Sequence, residues 1–382
     1  MSRAIRFQAP LFPSSEAIEE YFELARTKRW FSNFGPCAEL LSSRLRDATG
    51  RPCVLVANAT LGLIAGIAAL CREATNDGAE ALVPSFAFAA SAQCAVWNGL
   101  NPVFVDVDRD HWHLDPEALR AALEARHGRI AVVIALSSFG VPPPPEVRER
   151  WQSLCDEAHV PLIVDSAAGF GAMASDGVPI GAQGDVEVVS FHALKPLSAG
   201  EGGAVFCRDE EIAERITQIA NFAFDEDHQV QSGHGLNAKM SELNAAAALA
   251  GLDELGGGLA TRRELAGAIL SRIPSGFQTQ VGHAAGAWQF IPVAAPDTRT
   301  RLAVLVEAAR RDIGARTYYD PLHLMPAFAN CAQADDLETT TELGSRMLSL
   351  PLALDLSVEE VDAIAGLVTD SARTAHAMPS PA

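Results

Sequence analysis

Short apolar runs alternate with longer helical stretches between about residues 50 and 250 of the chain. Few charges interrupt these runs, so the strands that they predict are apolar on both faces. Such strands, separated by helices, indicate an α/β fold with a mostly parallel sheet between helical layers. The predicted strands are Cys53–Val56, Ala81–Val83, Pro102–Val105, Ile130–Leu136, Leu162–Val164, Val186–Ser190 and Ala204–Cys207. The predicted helices are Thr60–Leu70, Ala89–Trp97, Pro116–Glu124, Glu146–Glu157 and Glu210–Asn221.

A glycine triplet interrupts this pattern. Met240–Leu255 predicts a long, alanine-rich helix, and Gly256-Gly257-Gly258 predicts its end. We therefore expect a large domain over residues 1–254, a smaller α+β domain over residues 255–374, and a disordered tail over residues 375–382. The elements predicted in the smaller domain are a strand at Trp288–Val293 and helices at Arg262–Ser271, Arg301–Arg311 and Val358–Thr369.

The composition of the chain narrows its possible partners more than it narrows its possible folds. A net charge of −19 argues against nucleic acid or an anionic membrane surface, because both require a basic face. The most apolar stretch, residues 54–70, contains Asn58 and Thr60 and fits a strand, turn and helix better than a membrane span. Seven scattered cysteines without a CxxC pair, and a first segment without an apolar core, predict a cytoplasmic protein with reduced thiols.

Two strand ends carry the most informative side chains. Asp165 ends an apolar strand, and a carboxylate there costs free energy unless a partner compensates it. Lys195 is the one charged residue between Val188 and Gly200, which is unusual for a lysine on a solvent face. A carboxylate on a pyridine nitrogen and a lysine that carries an aldehyde suit pyridoxal 5'-phosphate. The alternatives are that Asp165 caps a helix or meets an arginine, and that Lys195 extends from a loop into solvent.

Other residues suit the remaining parts of this cofactor. The turn Asn58-Ala59-Thr60 begins a predicted helix, where free N–H groups attract phosphate, although a plain helix cap is more common. Ser190 is a further candidate for the phosphate, or a hydroxyl that bonds the backbone at a strand end. Phe86 and Phe88 are candidates to stack on a planar ring, or core aromatics. His111 and His113 form an isolated pair, so we expect no metal.

Several blocks, in a fixed order, resemble the sugar aminotransferases of the DegT/DnrJ/StrS family, which depend on pyridoxal phosphate. The resemblance extends from about residue 5 to residue 370. Its blocks are Arg29-Trp30-Phe31-Ser32-Asn33-Phe34-Gly35-Pro36, Pro84-Ser85-Phe86-Ala87-Phe88, residues 99–108, Ser190-Phe191-His192-Ala193-Leu194-Lys195, Gly200-Glu201-Gly202-Gly203, residues 235–243, Tyr319-Asp320-Pro321-Leu322-His323 and Ser349-Leu350-Pro351-Leu352.

The resemblance implies a fold-type I architecture and a homodimer with shared active sites. It assigns the covalent lysine to Lys195 and the ring-nitrogen partner to Asp165. It places Ala59, Thr60 and Ser190 at the phosphate, Asn237 at the phosphate of the neighbouring subunit, and Phe88 on the ring face. The implied reaction moves an amino group from glutamate or glutamine to a keto sugar, nucleotide-linked in most cases, or to a keto cyclitol. Pyridoxamine 5'-phosphate is its intermediate form.

The chain also departs from the family's pattern. Ala168 stands three residues after the aspartate, where the family commonly has Gln or His, and Ser137-Ser138-Phe139-Gly140 replaces His-Leu-Tyr-Gly. The phosphate turn has Asn58-Ala59-Thr60 in place of a Ser-Gly-Thr type. These changes leave the cofactor prediction standing and weaken the prediction of an ordinary nucleotide sugar.

Two other functions stay open from the sequence. A deoxygenating sugar dehydratase has the same fold, but commonly carries histidine where this chain has Lys195. A regulatory protein that binds the cofactor without turnover is the second alternative, and the sequence contains no basic DNA-binding module to support it.

Overall fold

The sheet predicted from the apolar runs is present. The computed structural model describes residues 4–71 and 78–377. The strands are β1 (Cys53–Val56), β2 (Glu80–Pro84), β3 (Asn101–Val105), β4 (Ile130–Leu136), β5 (Leu162–Asp165), β6 (Val186–Ser190), β7 (Gly203–Cys207), β8 (Ile291–Ala294), β9 (Ala332–Gln333) and β10 (Met347–Leu350). Within the described residues, eight strands form one sheet in the order β1-β7-β6-β5-β4-β2-β3-β9. The pairs of β7 are antiparallel and the others are parallel.

Helices cover both faces of this sheet. They are α1 (Ser15–Lys28), α2 (Pro36–Thr49), α3 (Ala59–Leu70), α4 (Ala89–Trp97), α5 (Pro116–Ala125), α6 (Pro145–Ala158), α7 (Glu210–Ala220), α8 (Glu242–Leu270), α9 (Thr298–Arg310), α10 (Glu338–Arg346) and α11 (Val358–Ala377). Alternate strand residues point to opposite faces. Thus Val54 and Val56 pack in the core beneath α3 and α7, while Cys53 and Leu55 pack in the core beneath α2 and α8.

The predicted break at Gly256-Gly257-Gly258 is wrong, because α8 continues from Glu242 to Leu270. Three glycines weaken a helix by roughly 1 kcal/mol each. Here, however, Leu255, Leu259 and Arg262 are buried on one face of α8 and hold the helix on both sides of the triplet. The separate helix predicted at Arg262–Ser271 is therefore the second half of α8.

The C-terminal part has its own apolar core. Strands β8 and β10 form an antiparallel pair, and α9 and α11 pack beside it with the end of α8. A domain boundary near residue 255 stays a prediction. The last helix runs to Ala377, which is longer than predicted and includes the first residues of the expected tail. Residues 378–382 of that tail lie outside the described part of the chain.

Among the described residues, no helix combines the length and the apolar character needed to cross a bilayer.

Candidate active site

Lys195 lies on the loop that connects β6 to β7. Backbone hydrogen bonds from Phe191 to Gly202 and from Ala193 to Gly200 close this loop and fix the lysine beyond the sheet edge. The side chain is half-buried, and its Nζ donates to Oε1 of Gln289 at 2.9 Å. Removal of the amine from water lowers the pKa of Lys195 to about 8, against an opposing attraction from Asp165. Roughly a tenth of this amine is therefore uncharged at pH 7, far more than for an ordinary lysine.

Asp165 ends β5 beside Val188 of β6 and is 3% exposed. Its Oδ2 accepts from the hydroxyl of Ser91 at 2.6 Å, and its Oδ1 accepts from the N–H of Ala167 at 3.1 Å. Burial raises the pKa of Asp165, while these two donors and the charge of Lys195 oppose that rise. Within the described residues, Asp165 forms no salt bridge with an arginine, which was one alternative for it.

The predicted phosphate turn lies beside the end of β6. Strand register aligns Ser190 with Gly203, and Gly203 with Val56 at the end of β1. A Cβ at Gly203 would lie 2.9 Å from the N atom of Ala59, so glycine is needed for this close approach. The first N–H that bonds within α3 is that of Gly62, to the carbonyl of Asn58. The N–H groups of Ala59 and Thr60 therefore precede the helix ladder and are suited to an anion.

The turn and Ser190 also make the ordinary contacts that were the alternatives for them, a helix cap and a backbone hydrogen bond. Oδ1 of Asn58 accepts from the N–H of Leu61 at 2.9 Å, so Asn58 is the N-cap of α3. The hydroxyl oxygen of Ser190 accepts from the N–H of His192 at 3.2 Å. That bond leaves the hydroxyl hydrogen of Ser190 free to be donated to another acceptor.

The two phenylalanines behave differently. Phe86 is fully buried against the rings of Phe139 and Tyr319 and is a core aromatic. Phe88 is the N-cap residue of α4 and is 58% exposed, which is unusual for a phenylalanine and leaves its ring available for stacking.

Asn237 is exposed, on the segment that pairs with Val56 through Lys239. Its Oδ1 accepts from Nζ of Lys239 at 2.7 Å. This bond fixes the orientation of the amide, so its NH₂ group faces away from Lys239 as a donor. The role of Asn237 in a neighbouring subunit stays a prediction.

The sequence analysis missed Ser91 and Gln289. Both are brought to the site by the tertiary fold, because Ser91 lies 74 residues from Asp165 and Gln289 lies 94 residues from Lys195. The available signal in the sequence was weak: each is a single polar residue within an apolar run.

A buried polar network supports the backbone behind Asp165. Glu187 is fully buried and accepts from Ser166 Oγ at 2.5 Å and from the N–H groups of Gly181 and Gln183 at 2.7 and 2.8 Å. Ser166 Oγ in turn lies 2.8 Å from the hydroxyl of Ser137. Burial raises the pKa of Glu187 to about 7. Because Ser166 directly follows Asp165, this network fixes the end of β5.

Two of the three departures from the family pattern, Ala168 and the segment Ser137-Ser138-Phe139-Gly140, contact each other. Ala168 is buried, and its carbonyl oxygen would lie 2.3 Å from a Cβ at Gly140, which has φ of +77°. The turn Ser138–Gly140 therefore packs directly on the backbone of Ala168. The methyl group of Ala168 provides no hydrogen bond, so a ring hydroxyl would need another partner.

Among the residues that the structure describes, one group of carboxylates has the spacing of metal ligands. Oxygens of Asp106, Asp335 and Asp336 lie within 4.8 Å of one another. Asp106, however, accepts from the N–H groups of Thr339 and Thr340 at 2.9 and 2.7 Å, so it caps the start of α10. This group is explained by helix capping.

The residues at the sheet edge fit pyridoxal 5'-phosphate chemically. Asp165 is a buried carboxylate with no salt-bridge partner among residues 4–71 and 78–377, the start of α3 offers free N–H groups, and the pKa of Lys195 is lowered. These are the partners that a ring nitrogen, a phosphate and an aldehyde require.

Comparison with known proteins gives the same assignment. The sequence profile of the DegT/DnrJ/EryC1/StrS aminotransferase family matches residues 14–369. Protein Rv3402c of Mycobacterium tuberculosis is 33% identical over 376 residues, which cover 96% of this chain and 90% of that protein. A dTDP-4-amino-4,6-dideoxy-D-glucose transaminase of Shigella dysenteriae is 27% identical over 387 residues, covering 97% of this chain and 100% of that protein.

A solved structure extends the likeness to the fold. DesI, solved in the presence of its TDP-sugar product, superimposes with a TM-score of 0.88 at 29% identity, covering 99% of this chain and 95% of that chain. The predicted fold class is therefore confirmed. Aminotransferases of this family use pyridoxal phosphate, with pyridoxamine phosphate as the intermediate form, which confirms the predicted cofactor. The chain belongs to the DegT/DnrJ/EryC1/StrS family of aminotransferases.

Proposed function

We propose that this aminotransferase moves an amino group from glutamate or glutamine to a keto sugar, nucleotide-linked in the leading case, or to a keto cyclitol. The observation that carries the proposal is the pairing of Lys195, with its pKa of about 8, and the buried carboxylate Asp165 at one sheet edge. The sugar acceptor is supported by relatives whose names specify sugar transamination, including the Shigella enzyme and a GDP-perosamine synthase of Caulobacter vibrioides.

The bound cofactor supplies a reactive aldehyde and an electron-withdrawing ring. In this proposal, Lys195 would hold the cofactor through its amine and, once released from it, would carry the proton between the cofactor and substrate carbons in each half-reaction. Asp165 would keep a proton on the ring nitrogen by its negative charge. Ser190 and the N–H groups of Ala59 and Thr60 would hold the phosphate, and the exposed ring of Phe88 would stack on the cofactor ring.

A homodimer forms part of the same proposal. The exposed amide of Asn237 has its oxygen engaged by Lys239, so the NH₂ group is the donor offered to a neighbouring subunit. We propose that it completes the phosphate site there. The dimer would be measured by light scattering.

The decisive experiment follows each half of the reaction. Wild-type protein with the cofactor is mixed with glutamate or glutamine, and then with nucleotide-linked keto sugars, while product masses are recorded. We expect Lys195→Ala to lose the absorbance of the lysine-bound cofactor and all turnover. Lys28→Ala, at an exposed helix end, is the matched control and retains both. Full transamination by Lys195→Ala would refute the assignment, and loss of a hydroxyl without gain of an amine would favour the dehydratase.

A further inference from the structure

Gln289 forms the one side-chain hydrogen bond that Lys195 makes to the described part of the chain. The amide oxygen accepts from Nζ at 2.9 Å. Gln289 precedes β8, so this contact reaches the lysine from the C-terminal part of the chain.

The backbone around Gln289 is held in place by two long-range contacts. Arg262, buried in α8, donates to the carbonyl of Trp288 at 3.0 Å. The N–H of Ala287 donates to the carbonyl of Gly140 at 3.2 Å. Trp288 adopts φ of +58°, a left-handed conformation that is costly for a tryptophan and needs such support. The backbone that leads into Gln289 is thus held by α8 and by Gly140, and its amide oxygen lies at hydrogen-bond distance from Lys195.

We propose that Gln289 is a positioning residue that holds the amine of Lys195 at its working place, and that it does so through its amide oxygen. Without a partner, an unbranched lysine side chain samples many rotamers. Conformational entropy is then lost each time the amine reaches its reacting position. A fixed acceptor at hydrogen-bond distance reduces this loss whenever the amine is not bonded to the cofactor. The role in proton transfer rests on the proposed aminotransferase function, whereas the contact itself does not.

The pKa of Lys195 is the readout for this role. Substitutions of a residue that only supports the fold would not shift that pKa up or down according to the charge introduced. In the part of the chain that the structure describes, few charged or titratable groups face Lys195. Asp165 approaches from β5, with the phenol of Tyr319 near that carboxylate. On the lysine's own loop, His192 and Glu201 lie 3.8 Å from each other. Gln289 is neutral, so a charged and an apolar replacement of similar size should shift the pKa of Lys195 in opposite directions. A carboxylate at this position raises that pKa, whereas an apolar side chain, which removes the acceptor, lowers it.

The chain suits a chemical test because its three lysines are Lys28, Lys195 and Lys239. An acylating reagent such as acetic anhydride reacts with uncharged amines, and peptide masses report each lysine separately. In cofactor-free protein, the midpoint of Lys195 acylation should lie near pH 8. With Gln289→Met, which removes the acceptor but keeps the shape, we expect the midpoint to fall by about one pH unit, a tenfold change in the ionisation constant. With Gln289→Glu, we expect a rise of about one unit or more.

Controls separate this effect from damage to the fold. Gln278→Met alters a glutamine whose Nε2 donates to the carbonyl of Arg109, away from the site, and should leave the Lys195 midpoint unchanged. Gln289→Asn keeps the amide but shortens the side chain, so its midpoint should move in the same direction as that of Gln289→Met. Each variant is checked by circular dichroism, and the variants that fold decide the outcome.

Failure of the Gln289 inference and failure of the proposed function give different results. Identical midpoints in wild type, Gln289→Glu and Gln289→Met would overturn the inference, even if the wild type is an aminotransferase. Opposite shifts in protein that transfers no amine would support the contact and refute the proposed function. In active holoenzyme, we expect Gln289→Met to slow the half-reaction with the amino donor about tenfold at saturation, while KM for the donor changes little.

Discussion

Replacement of Glu187 by glutamine should make the stability of this protein less sensitive to pH. In the wild type, one carboxylate oxygen of Glu187 accepts from both Gly181 N–H and Gln183 N–H, and the other accepts from Ser166. In Glu187→Gln, the amide oxygen can keep both N–H bonds. The amide NH₂ can donate to Ser166, which then donates onward to Ser137. The substitution therefore removes a buried charge without removing a hydrogen bond.

The size of the effect follows from linkage. Burial raises the pKa of Glu187 from 4.5 to about 7, so the folded protein binds more protons than the unfolded chain between these values. Stability from this group is therefore lost as the pH rises from 4.5 to about 7. Between pH 5.5 and 8.5, the wild type should lose about 2 kcal/mol that Glu187→Gln does not lose. For 382 residues, this corresponds to a melting-temperature difference of about 2.5 °C.

The assay is thermal unfolding of both cofactor-free proteins across this pH range. Other titrating groups cancel in the difference between the two melting temperatures. Glu187→Leu is the contrasting variant. It leaves the buried N–H groups of Gly181 and Gln183 without an acceptor, so it should be about 2 kcal/mol or more less stable than Glu187→Gln at every pH. The account predicts that the melting temperature of Glu187→Gln minus that of the wild type increases as the pH rises. A value that is constant with pH, or that decreases as the pH rises, would refute the reasoning.

Two further variants test the site itself. Ser91→Ala removes one of the two hydrogen-bond donors to Asp165 and should raise the pKa of that carboxyl, because the donor stabilises its charged form. The infrared band of the protonated carboxyl, identified with Asp165→Asn, measures it, and an unchanged titration would contradict the expectation. Gly203→Ala places a Cβ 2.9 Å from the N atom of Ala59 and should weaken cofactor binding at least tenfold in an absorbance titration. Gly267→Ala, on α8 with open space around it, should leave binding unchanged.

The large sheet was predictable because its strands are apolar on both faces. Each predicted strand of the sheet agrees with the structure within about two residues. Strand β9, Ala332–Gln333, could not be predicted, since two exposed residues carry no periodic signal. The continuity of α8 through its glycines depends on burial of Leu255 and Leu259, which local propensity does not reveal.

The residues of the site likewise fall into those that the sequence predicted and those that only the fold reveals. Asp165 and Lys195 were found because a charge in an apolar run is unusual and because the surrounding blocks resemble a known family. Ser91 and Gln289 are ordinary polar residues that become informative only when the fold brings them to these charges. Glu187 was missed for a related reason: its role depends on the turn at Gly181 and Gln183 folding back onto its carboxylate.

The most direct test of the central claim is to find which lysine carries the cofactor. Reduction of the holoenzyme with borohydride, followed by proteolysis and mass spectrometry, attaches the cofactor permanently to its lysine. Because the sequence has three lysines, Lys28, Lys195 and Lys239, the result has few alternatives. We predict one modified site per chain, at Lys195. Modification at Lys239 or Lys28 instead, or no modification of a protein saturated with pyridoxal phosphate, would contradict the account.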